Sequence, residues 1–493
     1  MNIALISAEV SPFAKEGGLS DITSALPKAW QSLGHNAIII LPKYGDIDTD
    51  YFKLEPLDIT ISVPIGYWTE YASLWKTTLP GRDDVTVYFI ENQDYFARHG
   101  IYGNPEGFED NDRRFLFLSR ASFELCKAIG FKPDIMHAHD YHTAMVMPFL
   151  KMQYKNDPFF YTTVGVLTLH NLAYQGWFNP KKIFELSGWP WQEFYPGSFF
   201  EMKGQFNAMK TGIMFADKIT TVSPTYANEI RWTEYGEGLQ EYLHQRSADL
   251  IGVLNGADYQ EWSPEKDTYI VIPYSLKNLE SKQSNKNFLL RDFQVPAYDL
   301  ERDIPLVGMV SRLTDQKGIE LLEQTIEDFI KYGAIRLALL GSGEKRYEQF
   351  FHYLANKYPT RVFVTIGYNN TLSHRIMAGC DYLLIPSRFE PCGLTQIYAM
   401  KYGTIPIVRL TGGLADTVKE YNPSTRTGDG FTFNGFRAHD FSIALRKALA
   451  LYKTEWHWDQ IRNNAMKKDL SVMYSAQEYI DVFTWALEKT HSY

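Results

Sequence analysis

Arg312 and Lys317 stand five positions apart in Ser311-Arg312-Leu313-Thr314-Asp315-Gln316-Lys317-Gly318, directly after the apolar run Pro305–Val310. A guanidinium can grip a diphosphate as a fork, and an ammonium adds a second, point-like charge. A departing diphosphate needs that kind of counter-charge. The competing reading is an ordinary ion pair between one of the two cations and Asp315. A second motif, Pro386-Ser387-Arg388-Phe389-Glu390-Pro391-Cys392-Gly393-Leu394-Thr395-Gln396, also follows an apolar run. Its carboxylate, Glu390, could bind sugar hydroxyls, or could simply favour the N-terminus of the next helix. The amides around Leu394 and Thr395 open that helix and suit a phosphate. Gly412-Gly413 supplies another loop-to-helix turn nearby.

Three more motifs lie in the first half. Lys15-Glu16-Gly17-Gly18-Leu19 precedes a helical pattern of Leu19, Ile22, Leu26 and Trp30. Gly17 and Gly18 let the backbone approach a phosphate, and Lys15 adds a mobile charge. A tight turn with an exposed lysine would look the same. Pro27 predicts a kink or early end in that helix. His137-Ala138-His139-Asp140-Tyr141-His142 crowds three imidazoles and a carboxylate into six positions, the composition of a metal site. No second ligand cluster is evident elsewhere, so the expectation is no metal. Leu169-His170-Asn171-Leu172-Ala173-Tyr174-Gln175-Gly176 places a His–Asn pair at another strand end, where both could hydrogen-bond a sugar.

These residues need a scaffold that brings strand ends together. Short apolar runs predict strands over 2–8, 36–41, 134–138, 165–170 and 218–223. In the second half they predict strands over 305–310, 336–341, 361–366, 381–386 and 404–409. Continuous apolar runs suit parallel strands buried on both faces, and helical patterns lie between them. The expected class is α/β, with two doubly wound Rossmann-like domains in series. The stretch 253–304 breaks the rhythm with Asn255-Gly256, Pro264, Pro273 and a polar segment. The expected domains are therefore 1–252 and 253–472. A final segment, 473–493, carries Ala476, Ile480, Phe483 and Leu487 at helical spacing and could return to the first domain. In such folds ligands bind beyond the carboxyl ends of the strands, so a cleft between two facing domains is the default site.

Composition narrows the partners. The 493 residues carry a formal charge of −9, which argues against a large nucleic-acid or anionic-membrane footprint. Any anionic ligand must be met by a local cluster of cations and amides. Cys126, Cys380 and Cys392 form no disulfide framework or CxxC pattern, which fits a reducing, cytoplasmic setting. Met1 to Glu9 reads as a first strand and not as a signal peptide, because it has no basic leader and an early acid. No apolar run reaches the length of a membrane span.

Taken in order, the motifs resemble those of bacterial glycogen synthases and plant starch synthases, which are retaining glucosyltransferases of the GT-B architecture. The resemblance covers essentially the whole chain. It runs from Lys15–Leu19 through Asp110-Asn111 with Arg114-Phe115, His137–His142 and His170–Gly176. It continues through Asn255-Gly256-Ala257-Asp258 with Trp262 and Pro264, Arg312–Gly318, Ser387–Gln396 and Thr411–Thr417.

The resemblance implies transfer of glucose from ADP-glucose to the end of an α-1,4-glucan. By that resemblance Lys15, Arg312 and Lys317 hold the donor diphosphate, with the Gly17-Gly18, Leu394 and Thr395 backbone. Glu390 contacts the donor glucose, and His170 lies close to the reacting sugar. Asp140 and Asn255 contact glucose or acceptor, and Tyr368 stacks near the nucleobase. No metal or other cofactor is implied, because lysine and arginine supply the counter-charge. Two positions depart from relatives. Tyr398 stands where small-acceptor enzymes often carry a second glutamate, and Glu16 puts an acid beside the phosphate loop. The alternatives are a sugar-nucleotide transferase using UDP-glucose or a small acceptor, and a silent glucan-binding protein.

Overall fold

The computed structural model describes residues 1–103 and 107–491. The chain divides into two units, Met1–Asn255 with Val472–Tyr493, and Gly256–Ser471. The division falls between Asn255 and Gly256, so Asn255 closes the first unit and does not open the second.

The first unit begins with β1 (Asn2–Ile6) and β2 (Asn36–Pro42). A meander follows: β3 (Glu55–Ile65), β4 (Trp68–Leu79) and β5 (Arg82–Glu91). Next come β6 (Ile135–His139) and β7 (Val164–Leu169). The short β8 (Trp177–Phe178), β9 (Glu201–Met202) and β10 (Gln205–Asn207) form a small sheet of their own. Last are β11 (Lys218–Thr221) and β12 (Leu250–Gly252). The main sheet has the order β12-β11-β7-β6-β1-β2-β5-β4-β3. Every residue of β6 and β7 is buried, as parallel strands covered on both faces require. From β1 the chain steps out to β2 on one side and returns through β6 on the other. The strand order therefore reverses between β1 and β6, a topological switch point.

The meander was not anticipated from the apolar runs. Its outermost strand, β3, alternates instead: Ile61, Val63 and Ile65 are buried while Thr60 and Ser62 face outward. The helix Gly18–Ser32 also differs from expectation, because it runs through Pro27 instead of ending there. Leu26, Ala29 and Trp30 are buried on both sides of the proline, and that packing outweighs one lost backbone bond. Part of it is supplied by the last helix, Val472–His491. Its Tyr479 and Phe483 rings pack on Trp30 at 6.0 and 5.4 Å between centroids.

The second unit holds β13 (Leu306–Val310), β14 (Arg336–Gly341), β15 (Val362–Ile366), β16 (Tyr382–Ile385), β17 (Ile405–Arg409) and β18 (Phe431–Phe433). They form one sheet in the order β15-β14-β13-β16-β17-β18, with every pairing parallel. Here the order reverses between β13 and β16. Buried Asp381 fastens the amino ends of those two strands, since one carboxylate oxygen accepts from Leu306 N at 2.8 Å and from Lys286 Nζ at 2.7 Å. Among the described residues, no helix is long and apolar enough to cross a membrane.

Candidate active site

In the second unit the two loops at the switch point are joined side chain to side chain. Lys317, at the end of a single 3-10 turn after β13, places Nζ 2.6 Å from Glu390 Oε2. Ser387 Oγ donates to the same oxygen at 2.9 Å. The pair is largely enclosed, with side-chain exposures of 18% for Lys317 and 9% for Glu390. Its position depends on Gly318, which has φ +71° and lies against the end of β16. A Cβ there would meet Pro386 O at 2.1 Å. Backbone bonds complete the junction: Arg388 N donates to Gln316 O at 2.8 Å, and Gly413 N to Glu390 O at 3.2 Å.

The remaining second-unit residues surround this junction at the same strand ends. Arg312 is exposed and forms no ion pair with a described residue. Asp315 does not neutralise either cation of its motif, because it pairs with Arg346 and accepts from the Tyr347 hydroxyl. Leu394 caps the helix Thr395–Lys401 without a side-chain bond to its first amides. Tyr368 follows β15 and is 77% exposed. Tyr398 is buried and stacked on Trp262 at 3.9 Å, so this position serves packing.

The first unit gathers its residues at the carboxyl ends of β1, β6 and β7. Asp140 begins a short helix straight after β6 with φ +55°, a left-handed conformation that costs a non-glycine residue energy. That geometry aims its carboxylate at β7, where Oδ1 accepts from His170 N at 2.7 Å. His139 Nδ1 and His170 Nε2 are 2.9 Å apart, so one ring donates and the other accepts. Asn255 is buried beyond β12, with its N–H donating to Val222 O at 3.3 Å.

The Lys15–Gly18 loop is organised by a residue the motif reading passed over. Glu9, buried just after β1, accepts from Glu16 N at 2.8 Å and Gly17 N at 2.9 Å through one oxygen. Its other oxygen accepts from Tyr102 OH at 2.5 Å. Tyr102 in turn stacks on His142 with centroids 4.6 Å apart. Asn111 and Arg114 hold this loop by its carbonyls, Asn111 Nδ2 to Tyr102 O at 2.8 Å and Arg114 Nη1 to Ile101 O at 3.0 Å. Lys15 is exposed and rests on Asp21 at 2.6 Å. An early acid directly after a first apolar strand was the available signal for Glu9. Ser387 lay inside the 386–396 motif without a role read for it, and Tyr102 gave no signal, since a lone tyrosine in a loop has no periodicity to mark it.

Burial sets the charge states. The imidazoles of His137, His142 and His170 are each pushed down to about 3 by loss of water, and His139 well below its usual value. Burial pushes Asp140 up to about 7 against the pull of the His170 and Asn171 amides. Glu16 is also raised, first by partial burial and then by the nearby Glu9 charge. The three imidazoles of 137–142 do not converge: His137 bonds Thr168, His139 faces His170, and His142 stacks on Tyr102. Among the described residues, no group of three or more His, Cys, Asp or Glu is arranged to hold a metal ion. Each unit thus presents charged and neutral hydrogen-bonding groups at a switch point, the first built on neutral rings and a carboxyl, the second on cations.

The family described as starch synthase catalytic domain matches residues 2–245, and that described as glycosyl transferases group 1 matches residues 291–467. The chain is 41% identical over 493 residues to the glycogen synthase of Fervidobacterium nodosum, covering 99% of both chains. It is 42% identical over 496 residues to glycogen synthase 1 of Geobacter sulfurreducens, covering 99% of this chain and 97% of that one. Among solved structures, the catalytic domain of starch synthase IV from Arabidopsis thaliana bound to ADP and acarbose matches with a TM-score of 0.91. The identity there is 35%, with 99% of each chain covered. The resemblance carried by the motifs is borne out over the full length: this chain is a glycosyltransferase of the GT-B class and belongs to the glycogen synthase and starch synthase family.

Proposed function

We propose that the protein transfers glucose from ADP-glucose to the non-reducing-end 4-hydroxyl of an α-1,4-glucan, with retained anomeric configuration and without a metal ion. The observation that carries the reading is the Lys317–Glu390 pair with exposed Arg312 beside it at the second unit's switch point. In this reading Arg312 and Lys317 take up the charge that develops as the bond between glucose C1 and the diphosphate breaks. Lys15 and the Gly17-Gly18 amides add to that counter-charge, with the Leu394 and Thr395 amides. Glu390 holds the donor glucose, and Tyr368 stacks near the base. The acceptor oxygen attacks C1 from the face the diphosphate leaves, and a diphosphate oxygen takes its proton. His170 stays uncharged near the sugar, oriented through Asp140, while Asn255 supplies a further hydrogen bond to glucose or acceptor. The three cysteines are buried free thiols, which suits a reducing cytoplasm.

The test is glucose incorporation into glycogen from labelled ADP-glucose and, separately, UDP-glucose, with chelator present. Incorporation from ADP-glucose that amylase releases is expected. Label from UDP-glucose alone corrects the base, and label found only in small products moves the acceptor. Loss of activity in chelator overturns the metal-free part.

A further inference from the structure

Asp315 stands three positions after Arg312 and two before Lys317, on the segment that carries both cations. Extended chain spans at most about 7 Å over two residues and about 11 Å over three, so its carboxylate is within side-chain reach of either cation. The structure turns it elsewhere. The loop after β14 runs beside the Arg312 loop as a short parallel bridge, with Leu313 N donating to Ser342 O and Glu344 N to Leu313 O, both at 2.8 Å. A Cβ on Gly341 would meet Ser311 O at 1.9 Å, and one on Gly343 would meet Leu313 O at 2.3 Å. The two glycines let the backbones touch, and that approach brings the helix Lys345–Lys357 up to Asp315.

Two groups of that helix hold the carboxylate. Arg346 Nη2 and the Tyr347 hydroxyl both donate to Asp315 Oδ1. Tyr347 is fully buried, and the Arg346 guanidinium lies over its ring at 4.3 Å with Nη2 2.7 Å from the same hydroxyl. Burial first, and then the bond to Asp315, push the Tyr347 hydroxyl above its usual range, so it remains a donor. Glu344 shares the guanidinium, with Oε2 3.1 Å from Arg346 Nε, but its Oε1 also accepts from Asp315 N at 3.3 Å. Loss of Arg346 therefore leaves Glu344 a backbone partner, and leaves the Asp315 carboxylate on the Tyr347 hydroxyl alone. With its side chain 57% exposed, Asp315 has room to turn.

We propose that Arg346 is a positioning residue for donor binding: with Tyr347 it holds the Asp315 carboxylate away from Arg312 and Lys317, and so keeps both cations open to a nucleoside diphosphate. The inference rests on the reading of those two cations as the diphosphate site. Lys317 already has Glu390 as its partner, and Arg312 is exposed. A released Asp315 would therefore turn on Arg312, and each cation would then carry its own acid. A competing ion pair at an exposed site should cost about fivefold in diphosphate affinity.

The experiment measures ADP and UDP affinity by calorimetry, with KM and kcat for the sugar nucleotide. It uses wild type, Arg346→Ala, Asp315→Asn, the double variant and Lys345→Ala. Arg346→Ala should weaken diphosphate binding and raise KM about fivefold while kcat stays within about twofold, because the freed acid competes with binding and not with the bound donor. Asp315→Asn should bind at least as tightly as wild type. The double variant should return to within about twofold of wild type, since an amide brings no charge to Arg312. Lys345→Ala removes the same charge from the neighbouring exposed residue and should bind like wild type. A double variant as weak as Arg346→Ala overturns the proposal, by placing the loss in the packing of Arg346 on Tyr347. Wild-type affinity in Arg346→Ala, or an equal loss in Lys345→Ala, overturns it too. A wild type that binds neither ADP nor UDP refutes the diphosphate reading itself, and this role of Arg346 falls with it.

Discussion

Lys317 Nζ and Glu390 Oε2 lie 2.6 Å apart although 73 residues separate them in sequence. Adjacent parallel strands β13 and β16 deliver the two loops, and Ser387 shares the carboxylate oxygen. Because the pair is largely enclosed, removing one partner strands the other charge. Lys317→Ala should lower kcat by about 10²–10³, equivalent to about 2.7–4 kcal/mol. Unfolding of Lys317→Met, Glu390→Gln and the double variant should show a coupling of about 0.5–3 kcal/mol, with the double variant more stable than the sum of the singles implies. Strict additivity would mean the two groups do not stabilise each other.

Gly318 is the hinge of that relationship. It sits at φ +71°, and an added Cβ would lie 2.1 Å from Pro386 O, a backbone atom that cannot swing away. Gly318→Ala must therefore push the Lys317 turn off the Glu390 loop. A shift of about 1 Å is enough to cost about 10²-fold in kcat. Gly130→Ala is the control, because its φ of +69° brings similar backbone strain with nothing within 4 Å of the new methyl. Both variants should lose about 1–3 kcal/mol of stability, and only Gly318→Ala should lose turnover. Equal turnover in the two variants would detach Gly318 from the site.

Glu16 should oppose donor binding weakly. It is exposed, and its neighbour Glu9 already holds the loop through the Glu16 and Gly17 amides. Across one Debye length of water, about 8 Å at physiological salt, a pair of unit charges is worth about 0.5 kcal/mol. Glu16→Gln should accordingly lower KM for the sugar nucleotide about twofold, and high salt should erase the difference. The carboxyl is raised above its usual range, so acidification should bring wild type and variant together. A higher KM in Glu16→Gln would show the acid assisting the loop.

Much of this arrangement was legible because parallel strands buried on both faces announce themselves. Leu306–Val310, Arg336–Gly341 and Ile405–Arg409 all lie within the continuous apolar runs that mark them. The loops that follow carry the charged motifs, so the sequence placed Arg312, Lys317 and Glu390 at strand ends. It could not pair Lys317 with Glu390, since register between β13 and β16 is set by tertiary packing. The meander escaped because β3 and β4 have one solvated face, and their alternation is weaker than a continuous run. Glu9 was visible as an early acid after the first strand, but its role is to accept two backbone amides, and those partners leave no mark in a sequence.

The buried imidazoles predict how stability falls with acid. His137, His139 and His142 are buried and held neutral, with values far below that of an unfolded histidine. A group whose folded value is depressed stabilises fully above its unfolded value, near 6.5, and that contribution is lost as pH falls. Asp140 has the opposite sign. Its folded value is raised to about 7, so its contribution is complete below about 4 and is lost as pH rises through about 7. Near pH 5.5 unfolding therefore takes up about three protons at the rings and releases about one from Asp140. From these four groups alone, stability should fall on acidification by the equivalent of about two protons, roughly 3 kcal/mol per pH unit. Denaturant unfolding of wild type, His142→Gln and Asp140→Asn between pH 7 and 5 measures the slope. His142→Gln should flatten it by about half. Asp140→Asn should steepen it by about half, because an amide removes the opposing proton, and an unchanged slope in Asp140→Asn would mean that its carboxyl is ionised in the folded protein.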